Sequence, residues 1–175
     1  MTYCNVGGFG IDGALSTVVG ASLSNKNKLY YCILGDLAFF YDMNVLGNRH
    51  VNSNIRILLI NNGKGNEFRL SMHPCNNFGD DADKYMAAAG HYGNKSNQLV
   101  KHYAEDLGYK YMSASNKDEF IAQMDTFLSP QETPTPMLFE VFTEMENERE
   151  ALDDIIEIVE SINKLKPIKK LNVST

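Results

Sequence analysis

Residues 29–44 read LYYCILGDLAFFYDMN and residues 55–65 read IRILLINNGKG. Each stretch opens on a short apolar run, Leu29 to Leu34 and Ile55 to Ile60, of the kind required of a strand covered on both faces. Each then stops on glycine and polar residues, Gly35-Asp36 in one and Asn61-Asn62-Gly63-Lys64-Gly65 in the other. A helical pattern, Leu37 to Arg49, follows the first, and a strand running through a glycine turn into a helix is half of a βα unit. The alternation continues outward from this pair. Tyr109 to Met112 and Met137 to Phe142 (MLFEVF) predict two further strands, and Thr2 to Val6 a fifth. Helices are expected over Gly13 to Leu23, with Leu15, Val18, Val19 and Ser22 on one side, and from Leu99 to Leu107, stopped by Gly108. Asn116, with Glu119 three residues on, predicts the start of a helix burying Phe120, Ile121, Met124, Phe127 and Leu128. A last helix, Asn147 to Leu165, carries Leu152, Ile155, Ile156, Val159, Ile162 and Leu165 on one stripe. The expected class is α/β: a mostly parallel sheet with helices on both faces, residues 1–175 forming one domain.

Composition narrows the functions. With 43% hydrophobic and 22% charged residues among 175, the chain has the make-up of a packed domain, not of a disordered tail, a fibre or a coiled coil. Sixteen basic against twenty-two acidic residues give a net charge of −6, which argues against nucleic acid or an anionic membrane as partner. Three cysteines, Cys4, Cys32 and Cys75, form neither a disulfide framework nor a paired metal spacing, so a reducing cytoplasm is the expected compartment. Apolar runs fall far short of the roughly 20 residues of a membrane span, and the N-terminus has no signal-peptide pattern, so no membrane or export role is expected. The four histidines share no ligand spacing, and nine acidic residues between Glu140 and Glu160 read as a solvated helix face. Gly63 to Asp83 shows no period and reads as a surface loop or lid, while Pro130, Pro134 and Pro136 mark a connector.

The chemistry is expected where the first two strands end. Parallel neighbours would bring Asp36 and the Asn61-Asn62 turn to one carboxyl edge. An Asp carboxylate, an Asn amide oxygen and a backbone carbonyl are hard donors, suited to a six-coordinate Mg2+ whose other ligands are phosphate oxygens and water. A single carboxylate leaves such an ion net positive and still attractive to a diphosphate. A lone Asp before a helix is more often a plain N-cap, and by itself supports no site.

The stretch GDLAFFYDMN … LLINN, 28 residues from Gly35 to Asn62 inclusive, resembles the thiamin-diphosphate-binding motif, which begins Gly-Asp-Gly and ends Asn-Asn. Leu37 replaces the third motif residue. With the upstream GIDGALSTVVGAS, Gly10 to Ser22, the chain is similar to the menaquinone-pathway succinyl-enolpyruvyl-hydroxycyclohexene-carboxylate synthases, from about Asn5 to Val141, over their C-terminal diphosphate-binding domain. The resemblance implies the thiamin-diphosphate-binding fold, with thiamin diphosphate and Mg2+ as cofactors. It implies Asp36, the Asn62 side chain and the Lys64 backbone carbonyl as metal ligands, and the backbone N–H groups of Gly35, Asp36, Leu37 and Ala38 as a diphosphate cradle. Ile11 falls at the apolar wedge that bends the cofactor, and Phe9 would offer its carbonyl to the aminopyrimidine. Two departures stand out: Ala38 where related synthases carry Ser, and Val6 where they carry an Arg that handles an acidic substrate. A different 2-oxo acid or acceptor is therefore expected.

The implied reaction is decarboxylation of a 2-oxo acid, ending in protonation or in carboligation by a transferase. The Glu that activates the aminopyrimidine belongs in that family to a pyrimidine-binding domain, so no catalytic residue is expected in this chain. The expectation is a C-terminal fragment, inactive alone, completed by a pyrimidine-binding domain or subunit in a homodimer or tetramer. Two other readings stay open: a related α/β domain that binds a nucleotide or another diphosphate through Gly7-Gly8-Phe9-Gly10, and a non-catalytic scaffold.

Overall fold

The computed structural model describes residues 2–4, 10–70, 73–85, 96–131 and 133–165. Four strands, β1 (Tyr30–Gly35), β2 (Ile55–Asn61), β3 (Lys110–Ala114) and β4 (Met137–Phe142), form one sheet in the order β1-β2-β4-β3 with every neighbouring pair parallel. A parallel pair needs a crossover to carry the chain back. From β1 to β2 it is α2 (Asp36–Asp42) and a 3-10 turn (Met43–Gly47). Between β2 and β3 the described residues form two 3-10 turns (Asn66–Arg69 and Pro74–Phe78), α3 (Asp81–Tyr85) and α4 (Leu99–Asp106). From β3 to β4 it is α5 (Lys117–Phe127), and α1 (Ala14–Ser24) precedes β1.

Alternation along the strands sends side chains to two faces and helices pack on both, but Tyr31 and Ile33 of β1 stay exposed, so β1 is not covered on both faces as its apolar run predicts. Leu34, Ile55, Ile57, Leu59 and Leu138 pack with Leu15 and Val19 of α1, Phe39 and Phe40 of α2, and Val100 and Ala104 of α4. On the other face Met112, Ala114, Met137 and Phe139 pack with Phe120, Met124 and Phe127 of α5, the rings of Phe120 and Phe139 stacking at 5.5 Å. The α/β architecture with a parallel sheet is as the alternation predicts.

Local signals act as their chemistry requires. Gly108 adopts φ 81°, where its N–H reaches the Glu105 carbonyl and the Tyr109 N–H reaches that of Ala104 at 2.9 Å, closing the end of α4. Asn116 Oδ1 accepts the Glu119 N–H at 3.0 Å, and the Glu119 carboxylate accepts the Ser115 N–H at 2.8 Å, which caps α5.

Four expectations need correction. The helix expected over residues 37–49 stops at Asp42, whose backbone leaves the helical region (φ −132°, ψ 9°) while its carboxylate is held by Ser16 of α1. In α5, Phe127 is buried, whereas Ile121 and Leu128 stay exposed because the helix packs on the sheet through Phe120, Met124 and Phe127. Residues 2–4 form no strand, and the remainder of that expected strand lies outside the described residues. Within residues 63–83 the described residues, 63–70 and 73–83, form two 3-10 turns and the start of α3, with Arg69 bonded to the Gly79 carbonyl and, at 3.0 Å, to Asp80.

The chain divides into two compact units, Met1–Thr143 with the sheet and Glu144–Thr175. The second carries α6 (Met145–Leu165), on which Ile155, Val159 and Ile162 of the apolar stripe are exposed. No helix among the described residues is long and apolar enough to cross a membrane.

Candidate functional site

The register of β1 on β2 pairs Leu34 with Leu59 and Gly35 with Ile60. Both chains therefore leave the sheet at the same level, one strand spacing of about 5 Å apart. Asp36 and Asn62 stand on one carboxyl rim, off adjacent strands. This is the topological position at which open α/β sheets bind ligands.

On the β1 side the cap of α2 is Gly35, extended at φ −80° and ψ 163°, and Asp36 is the first helical residue, 3% exposed. The plain N-cap reading of Asp36 is thereby set aside. Gly35 is exposed, and a Cβ built on it meets no atom within 4 Å, so the absent side chain leaves open space beside the first-turn N–H groups of α2. Leu37 and Ala38 continue that turn half-buried, Ala38 packing against the core.

On the β2 side Asn62 Oδ1 accepts the Lys64 N–H at 2.9 Å across Gly63, which sits at φ 79°. This is an Asx turn, and a positive φ at its centre suits glycine. It folds the Lys64 backbone over Asn62, whose amide oxygen accepts that N–H. Among the described residues no group of three or more His, Cys, Asp or Glu could hold a metal ion. The donors on this rim are instead one carboxylate, one amide oxygen and backbone carbonyls, a hard-oxygen set that fits Mg2+ better than Zn2+. Ile11, 40% exposed, lies just before Gly13, the left-handed cap (φ 74°) of α1. Phe9 lies outside the described residues, as do Val6, Gly7 and Gly8.

Two supports of this rim escaped the sequence reading. Below it Asn61 is buried, and its Nδ2 donates to Glu140 Oε1 at 2.5 Å, while the Tyr111 hydroxyl donates to Glu140 Oε2 at 2.6 Å. Burial first, and then the bond to Glu140, push the Tyr111 hydroxyl well above the usual phenol range. Glu140 is 1% exposed, so it does not belong with the acidic residues of a solvated helix face. The available signal was a charge inside the otherwise apolar run MLFEVF. Beside the rim, Asp42 accepts the Ser16 N–H at 2.6 Å and its Oγ–H at 2.7 Å, tying the start of α1 to the end of α2. The neighbouring Thr17 hydroxyl donates to the Gly13 carbonyl at 2.7 Å.

Residues 2–141 match the family described as "Thiamine pyrophosphate enzyme, C-terminal TPP binding domain". The chain is also similar to proteins named 2-succinyl-5-enolpyruvyl-6-hydroxy-3-cyclohexene-1-carboxylate synthase. It is 38% identical to that of Bacteroides thetaiotaomicron over 151 residues, covering 86% of this chain and 26% of that protein. With that of Phocaeicola vulgatus the identity is 39% over 145 residues, covering 83% and 24%. With that of Desulfotalea psychrophila it is 37% over 142 residues, covering 81% and 24%. The chain thus spans about a quarter of the length of these relatives. A parallel sheet whose first two strands end together on a glycine-and-oxygen rim, inside a match over residues 2–141, makes the chain a member of the family of C-terminal TPP-binding domains of thiamine pyrophosphate enzymes.

Proposed function

We propose that this chain is the diphosphate- and Mg2+-holding part of an enzyme that decarboxylates a 2-oxo acid and delivers the remainder to an acceptor or a proton. The observation that carries this reading is the shared rim: Asp36 and the Asn62-Gly63-Lys64 turn leave adjacent parallel strands at one level, beside the open space at Gly35. When bound, the cofactor supplies the carbon nucleophile and the electron sink. The chain binds and orients. Asp36, Asn62 Oδ1 and the Lys64 carbonyl would hold Mg2+, and a single carboxylate keeps the ion net positive toward the diphosphate. The N–H groups of Gly35 to Ala38 would donate to phosphate oxygens, Ile11 would wedge against the cofactor rings, and the Phe9 carbonyl would accept from the aminopyrimidine.

The activating Glu is assigned to a pyrimidine-binding domain or subunit, in a homodimer or tetramer, so these 175 residues bind the cofactor without turnover. Three free cysteines accord with a cytoplasmic setting. The relatives are named as synthases of a succinyl-bearing product. Here Val6 stands at the position of an Arg, and Ala38 at that of a Ser, in the motifs of such synthases. Without a bidentate donor for an acidic substrate, a different 2-oxo acid or acceptor is the better fit.

Isothermal titration with thiamin diphosphate, with and without Mg2+, tests the reading. Binding is expected only with Mg2+, and Asp36→Ala is expected to abolish it while far-UV circular dichroism stays unchanged. Undiminished binding by Asp36→Ala, or binding indifferent to Mg2+, would overturn it.

A further inference from the structure

The buried carboxylate of Glu140 has no part in the cofactor site as drawn, and fold stability gives a poor account of it. β4 lies between β2 and β3, with Glu140 opposite Leu59 on one side and Ser113 on the other. Strand alternation puts Asn61, two residues past Leu59, and Tyr111, two before Ser113, on the same face as Glu140. Each of its oxygens meets one of them, at 2.5 and 2.6 Å. Replacing a whole buried charged cluster by apolar residues is often neutral or stabilising, so stability alone is a weak reason for a strand to carry one.

We propose that Glu140 is a positioning residue, holding the Asn62-Gly63-Lys64 turn in ligating geometry through Asn61. The proposal rests on the cation reading of Asp36, Asn62 and Lys64. Asn61 is fixed at three points: its register with Phe142, its carbonyl accepting the Thr143 N–H at 3.2 Å, and its amide on Glu140. Asn62 leaves directly from that peptide, and Lys64 follows two residues later. Mg2+ requires near-ideal octahedral angles, so a small rotation of this turn lowers affinity although nothing touching the ion has changed. Partners hydrogen-bonded directly to metal ligands typically contribute 10- to 100-fold in metal affinity, and Glu140, one residue further out, is expected at the lower end of that range. Tyr111 holds the other oxygen, toward β3, and is not in line with the turn.

The test uses Mn2+ with inorganic pyrophosphate as probe, read by electron paramagnetic resonance on the whole chain, with circular dichroism and urea unfolding alongside. Glu140→Met is expected to weaken Mn2+ binding about 10-fold and to alter the line shape of the bound ion. Tyr111→Phe removes the other hydrogen bond to the same carboxylate, so it should lower stability while leaving Mn2+ affinity within about twofold. Glu140→Gln keeps an oxygen for Asn61 and turns its NH2 to the Tyr111 hydroxyl, so it should restore wild-type affinity and line shape. Should Glu140→Met fail to fold, Asn61→Ala cuts the same tether from its other end, and the same weakening is expected. Wild-type affinity and line shape in Glu140→Met or Asn61→Ala, or a weakening no greater than that of Tyr111→Phe, would overturn the inference. Binding lost in Asp36→Ala but kept in Glu140→Met sinks this inference alone, whereas no Mn2+ binding by the wild-type chain sinks the cation reading and this inference with it.

Discussion

Asp42→Ala is expected to destabilise the sheet-bearing unit by about 2–3 kcal/mol. The Asp42 carboxylate, 9% exposed, accepts the Ser16 N–H at 2.6 Å and the Ser16 Oγ–H at 2.7 Å. Ser16 is the third residue of α1, so its N–H is one of the donors that a helix start cannot satisfy internally. Hydrogen bonds to a charged group contribute about 1.5–3 kcal/mol each, and two on one carboxylate share its charge, so about 3 kcal/mol is a reasonable total. Against this, a carboxylate at the end of α2 faces the negative end of that helix, and its removal relieves about 0.5 kcal/mol. Ser16→Ala removes only the hydroxyl contact and should cost about 1 kcal/mol. In an Asp42→Ala background the same change should cost almost nothing, a coupling of about 1 kcal/mol. Urea unfolding followed by circular dichroism measures all four members of the cycle, provided the m-value is unchanged. A loss below about 1 kcal/mol for Asp42→Ala, or strict additivity in the cycle, would show that the contact does not hold α1 to α2 and would refute the reasoning.

The remaining predictions concern pH and backbone. Burial raises the Cys32 thiol from 9.0 to about 11 and pushes the Tyr109 and Tyr111 hydroxyls above their usual range, so each prefers its neutral form when folded. The stability Cys32 contributes is full below pH 9 and is lost as pH rises toward 11, while that of the two tyrosines starts to fall only above pH 10. Melting temperatures from pH 8 to 11 should fall, Cys32→Val should flatten the first part of that fall, and identical slopes for both chains would contradict the assignment. Gly108→Ala places a Cβ at φ 81°, in the turn that ends α4, and should cost about 1 kcal/mol in urea unfolding. A neutral effect would mean that α4 can end in another conformation.

Much of the architecture was legible because it rests on short-range rules. Apolar runs of strand length, glycine-and-polar strand ends and the caps at Gly108 and Asn116 are properties of a few consecutive residues, and the structure follows them closely. The candidate rim was legible for the same reason: β1 and β2 are consecutive, and consecutive strands joined by one crossover are usually neighbours. Local pattern misled where a distant partner took over. Asp42 ends α2 because Ser16, 26 residues earlier, holds its carboxylate, and nothing within the run from Leu37 to Arg49 announces that.

Glu140 shows the limit most plainly. Sequence alone put an acid in an apolar strand and two asparagines after another. Only the tertiary order, with β4 inserted between β2 and β3, brought Glu140 to Asn61 across 79 residues and to Tyr111 across 29. Periodicity encodes which way a side chain points, but strand partners are chosen by burial and hydrogen bonding summed over the whole sheet, and that sum is not written in any single segment.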